Sequence, residues 1–183
     1  MTPTLIVIAI VAVFGLWLIS VFNGLITAKN RTEEAASDIE VQQKRRYDLI
    51  PNLVATVKGY ATHEEGVFSK VSEARSAAMH AGNAGEHVAA ENMLSSTLKS
   101  LFAVSEAYPE LKASQNFLEL QRELLDAEDK IQAARRFFNS NARDFNTRLQ
   151  TFPQNVIGNF LGFKVVAYYD APAESEQNVK VEF

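Results

Sequence analysis

Residues 5–26 read LIVIAIVAVFGLWLISVFNGLI, an apolar run with no charged side chain anywhere between Met1 and Ala28. At 1.5 Å per residue, a helix of this length covers the ~30 Å hydrocarbon core of a bilayer. The interruptions are mild, since Gly15, Ser20, Asn23 and Gly24 are small or uncharged and such residues let another helix approach a spanning one. The run is read as a membrane span, and everything after it as what the span holds at the bilayer.

A cleaved secretory signal is the main competing reading, and it needs a basic n-region, an apolar core of roughly 7–15 residues and a small-x-small cleavage site. Met1-Thr2-Pro3-Thr4 carries no base, the run is too long, and Ile26-Thr27-Ala28 lacks the first small residue. No cysteine is available to carry a lipid. The expectation is an uncleaved anchor over residues 1–28. Lys29, Arg31, Lys44, Arg45 and Arg46 follow the run and nothing basic precedes it, which predicts the N-terminus outside and the remainder in the cytoplasm. Glu33, Glu34, Asp38 and Glu40 share that stretch, but acidic residues count little in this rule.

Composition narrows the function classes. Removing the anchor from 183 residues leaves enough chain for one core of ordinary size. The net charge of -4, with cations and acids interspersed along helical stretches, argues against a nucleic-acid partner. Zero cysteines exclude disulfides, thiolate metal sites and a cysteine nucleophile.

After the anchor, apolar residues recur at alternating steps of three and four through Ile39, Ile50, Leu53, Val57, Tyr60, Val67, Val71, Ala74 and Ala78, with Gln43, Arg46 and Glu64 as polar exceptions. This coiled-coil-like spacing predicts one helix from Lys29 to about Met79, continuous with the span. Pro51 interrupts it: either the helix kinks there, or it ends near Tyr47 and restarts with Asp48 as cap. Gly82-Asn83-Ala84-Gly85 reads as a turn, and a second helix follows from about Glu86 to Ala107, ended by Tyr108-Pro109.

A third helix, from Glu110 or Ser114 through Leu149, carries the most regular stripe: Phe117, Leu120, Leu124, Ala127, Ile131, Ala134, Phe138, Asn141, Phe145 and Arg148. Pro153 closes it. The apolar segment Val156–Phe163 then reads as a cap over the end of the bundle, with a second contact to the membrane surface or to a neighbour as the alternative. Residues 164–183 read as a tail whose last five alternate as a possible edge strand. The fold class is therefore all-α, a transmembrane helix followed by an antiparallel bundle over residues 29–163 with long helices.

Catalytic patterns do not appear. His63, His80 and His87 lack a Glu or Asp three residues before them, and no phosphate loop or nucleophile elbow occurs. No cofactor and no metal is expected. Two clusters stand out instead, KRRYDLIPNLV from Lys44 and RRFFNSNARDFNTRLQTFP from Arg135. They place Arg45, Arg46, Tyr47, Asp48 and Pro51 in one group, and Arg135, Arg136, Phe137, Phe138, Arg143, Asp144, Phe145 and Arg148 in the other. Arginine and aromatics are the types interfaces favour, so these residues are candidate contacts, with Asp48 and Asp144 as the acids the arginines would pair with. The third helix, at ~57 Å against ~33 Å for the second, should overshoot the turn and carry Phe138, Phe145 and Leu149 to one end, for a head-to-tail contact between protomers.

At these residues the chain resembles the LemA family of bacterial membrane proteins. KRRYDLIPNLVATVKGYATHE from Lys44, the run from Arg135, FLGF at Phe160–Phe163 and the closing VKVEF occur in the family's order. The sequence departs from it at Phe138, where a tyrosine is usual, and at Val165-Val166, where a proline-bearing segment is usual. The resemblance implies a helical bundle behind one span, in the bacterial cytoplasmic membrane, in a family without established catalysis. The expected function is a non-enzymatic scaffold that self-assembles at the membrane; the alternative is an adaptor that recruits another membrane protein, such as a protease. The expected partners are the lipid bilayer, further copies of the chain and, under the alternative, that second protein.

Overall fold

A computed structural model describes residues 3–82 and 84–169 of the chain. Six helices follow one another among the described residues: α1 (Pro3–Lys58), α2 (Glu65–His80), α3 (Ala84–Glu106), α4 (Pro109–Lys112), α5 (Gln115–Gln150) and α6 (Gln154–Phe160). No strand occurs among them, so the fold is all-α, with a long apolar N-terminal helix ahead of a bundle. The closing Val179–Phe183 segment lies outside the described residues.

The apolar run and the first bundle helix are one helix, α1, which continues through Pro51. Proline has no amide to donate, so the Tyr47 carbonyl four residues earlier loses its helical partner. Arg75 of α2 supplies the replacement, donating from Nε to the Tyr47 oxygen at 2.7 Å. The helix stops at Lys58, and the single helix expected to reach Met79 is two helices joined through residues 59–64. Gly59 contributes to the stop, since glycine is costly to hold in a helix, and the chain turns there. The stripe continues across the turn with two shifts: Ala61 is buried where Tyr60 was expected, with Tyr60 exposed, and Phe68 is buried beside a half-buried Val67.

The described residues form two compact units. One is continuous in sequence, Glu40–Ile131. Its core draws on five helices, with Tyr47, Ile50, Leu53 and Val57 of α1, Phe68 and Val71 of α2, Leu94 and Leu101 of α3, Leu111 of α4, and Phe117 and Leu124 of α5. Phe102 and Phe117 meet edge to face at 6.3 Å between centroids, a geometry aromatic pairs prefer.

The other unit joins residues 3–39 to Gln132–Tyr169. Here the C-terminal half of α5 packs along α1 from the last turns of the apolar run onward, in two small clusters. Leu25 and Ala28 meet Phe145 and Leu149, and Ala35 and Ile39 meet Phe138 and Ala142. The expected stripe shifts on this part of α5, because Ala142 and Leu149 are buried while Asn141 is half-buried and Arg148 exposed. A straight helix drifts about 20° per heptad against a seven-residue repeat, and over several heptads the inward position moves on by one residue.

Candidate functional site

The first candidate cluster lies on α1 in the continuous unit. Arg46 occupies a position the helical stripe would fill with an apolar residue, and only 3% of it is exposed. Its guanidinium forms ion pairs with Glu91 of α3 and Glu128 of α5, while the Tyr47 hydroxyl donates to the other Glu91 oxygen. Burying a charge this deeply is tolerated only when it is paired and hydrogen-bonded, so three helices are held in register by one arginine. Gln43 is buried one turn before it.

The remaining residues of this cluster face outward. Arg45 reaches Asp126 at 3.1 Å and Glu123 at 4.0 Å, and Asp126 also accepts from Lys130 at 2.8 Å. The Lys130 hydrogen bond, aided by the charges of Lys130 and Arg45, holds the Asp126 carboxyl below the usual aspartate range. Asp48, expected to serve the arginines, is taken by Lys44 at 2.7 Å, one helical turn away. Pro51 is exposed.

The second cluster lies in the unit that contains the span. Phe138 and Phe145 are buried against α1, whereas Phe137 is 56% exposed and Arg136, Arg143 and Asp144 lie on the same outward side of α5. Arg148 donates from Nη1 to the Gly24 carbonyl at 3.2 Å, tying α5 to the last turns of the apolar run. Of the thirteen candidate residues, then, Arg46, Tyr47, Phe138 and Phe145 are buried inside the chain's own cores.

Residues 163–169 lie extended along α5, held by two asparagines through their backbone. Asn146 donates from Nδ2 to the Val166 oxygen at 2.8 Å and accepts from the Val166 amide at 2.9 Å. Asn139 does the same to Tyr169, at 3.0 and 2.8 Å. The spacing is matched: seven residues of helix rise about 10.5 Å, and three residues of extended chain cover about 10 Å. Beside the clamps the rings pack edge to face, Phe163 on Phe145 and Tyr169 on Phe138, with the Arg135 guanidinium over the Tyr169 ring at 5.4 Å. The signal in the sequence was a pair of asparagines seven apart on one helix face.

Among the described residues no group of three or more His, Asp or Glu side chains is placed to hold a metal ion. His80, for one, is occupied at Nδ1 by the Ser76 carbonyl at 2.8 Å.

Comparison with known proteins adds to these observations. The LemA family model matches residues 35–183, from within α1 to the end of the chain. Protein LemA of Metamycoplasma hominis is 29% identical over 150 residues, covering 81% of this chain and 68% of that protein. Magnetosome protein MamQ of Magnetospirillum gryphiswaldense is 25% identical over 174 residues, and MamQ 2 of Paramagnetospirillum magneticum is 25% identical over 189. These alignments cover 81% and 89% of this chain, which spans 64% and 69% of the two relatives' lengths. An N-terminal helix apolar and long enough to cross a bilayer, followed by the motifs from Lys44 and Arg135 inside the matched region, makes this a membrane protein that belongs to the LemA family.

Proposed function

We propose that this protein is a non-enzymatic scaffold, anchored in the bacterial cytoplasmic membrane with its N-terminus outside, that assembles with copies of itself through its cytoplasmic helices. The observation that carries this reading is the passage of α1, without a loop, from the apolar run into a helix pair buried against α5. Copies held this way present the outward side of α5 next to a shared plane, and confinement raises their effective concentration without any new contact.

That side carries what an interface uses, an exposed Phe137 among Arg136, Arg143 and Asp144. A contact from it to the Arg45 and Asp48 surface of another copy would be head to tail, and such contacts build rings or filaments. Full-length protein extracted in mild detergent is expected to form large homo-oligomers, read by particle mass and electron microscopy. Phe137→Glu combined with Arg143→Glu is expected to reduce them to single copies with unchanged helix content. A strictly monomeric wild type at every concentration overturns the reading, and a protein that stays small until a second membrane protein is added favours the adaptor role.

A further inference from the structure

We infer that α6 and the turn before it form a second, non-spanning membrane contact, with Phe152, Val156 and Phe160 inserted at the headgroup boundary of the bilayer that α1 crosses. The inference rests on the span and is independent of self-assembly.

Three observations converge on it. The first is depth. Residues 148–158 lie beside the last turns of the apolar run: Arg148 bonds the Gly24 carbonyl, Leu149 packs on Leu25, and a recess between them is lined by Trp17, Val21 and Gln154. Gly158 is pressed so closely against this wall that a Cβ there would sit 2.7 Å from Leu149 Cδ2 and 3.9 Å from Leu25 Cδ1. If Leu5–Ile26 fills the hydrocarbon core, Gly24 and Leu25 mark its edge, and α6 beside them is at the interface.

The second observation is exposure. Val156 and Phe160 are 60% and 89% exposed and, four residues apart on α6, share one face, away from the face on which Gly158 packs, while Phe152 in the turn before α6 is 81% exposed. Large apolar side chains left this open within one short segment signal a surface that something covers. The third is charge. No charged residue occurs between Arg148 and Lys164, and these two cations bracket the segment where lipid phosphates lie. A protein partner would be served by mixed charge around the apolar stripe; an uncharged segment contiguous with a span suits lipid.

The absence of native cysteine allows a direct test on the full chain. Phe160→Cys and Val156→Cys, each carrying an environment-sensitive fluorophore, are placed one copy per nanodisc beside lipids bearing a nitroxide near the headgroup. Val13→Cys serves as the span control, with a deep nitroxide. Asp38→Cys serves as the distal control, since twelve residues of helix put it about 18 Å beyond Ile26. The expected result is roughly twofold or greater quenching at positions 156 and 160 by the shallow nitroxide, none at 38, and unchanged helix content. Val13 quenched but Phe160→Cys open to aqueous iodide overturns this inference while leaving the anchor intact. A blue-shifted label at 160 that lipid nitroxide does not quench also overturns it, because protein is then the cover.

Discussion

The two units of this chain are built from the same helices, α1 and α5, yet they meet the problem of a stable core differently. The unit at Glu40–Ile131 gathers apolar side chains from five helices and spends a buried arginine at their centre. The unit that carries the span has two clusters of only four buried residues each, a strap clamped by asparagines, and large aromatics left open. One is a core in the ordinary sense of a soluble domain. The other has little apolar area to bury within itself, and fastens its extended segment by asparagine hydrogen bonds to its backbone.

The largest effect should come from the buried arginine. Glu91→Ala leaves the Arg46 guanidinium and the Tyr47 hydroxyl without their shared partner, and losing one side of a buried pair costs about 3–5 kcal/mol. Thermal unfolding followed by helical circular dichroism should drop by on the order of 10 °C. Amide exchange at Val166 and Tyr169 should be unchanged if the units fail separately; exchange rising together at both would join what the comparison keeps apart.

A smaller lesion sharpens the other side. Asn146→Ala removes both hydrogen bonds to Val166, with an expected cost of about 1–2 kcal/mol. Limited proteolysis should then cut within residues 164–169 several times faster, with little change in the melting of the continuous unit. An unchanged cleavage rate would mean the aromatic contacts alone hold the strap.

The smallest effect belongs to the surface pairs. Asp126 is held below its ordinary value, chiefly by the Lys130 hydrogen bond, so its contribution is present above the unfolded aspartate range and is lost as pH falls through the lowered value. The group is exposed and solvent screens its pairs. Asp126→Asn should leave the melting temperature at pH 7 within error and only flatten the acid side of the stability profile. A loss near that of Glu91→Ala would show that this outer face is covered in the native assembly.

Much of the architecture was legible because helices advertise their period locally. The span, the turn at Gly82, the end of α3 before Pro109 and the length of α5 all follow from runs and breakers a few residues wide. The stop at Lys58 was not seen, because the apolar period crosses Gly59 almost undisturbed and a glycine alone does not end a helix. The polar exceptions Gln43 and Arg46 were visible as interruptions of a stripe, but the partners of Arg46 lie 45 and 82 residues away, beyond any local pattern. Asn139 and Asn146 left only their seven-residue spacing as a signal, since their ligands are backbone groups that any sequence supplies. The exposed arginines and Phe137 could be named as candidates, yet their side of the helix was fixed only when α5 met α1.

The bond from Arg148 to Gly24 closes a gap of 124 residues, and that distance is also a delay. A chain emerging N-terminus first at about 5–20 residues per second exposes Leu25, Ala28, Ala35 and Ile39 for roughly 6–25 s before α5 exists to cover them. The stretch between, Glu40–Ile131, has every residue of its own core within reach during that wait. Synthesis therefore leaves this face of α1 as the last surface to be matched from within the chain.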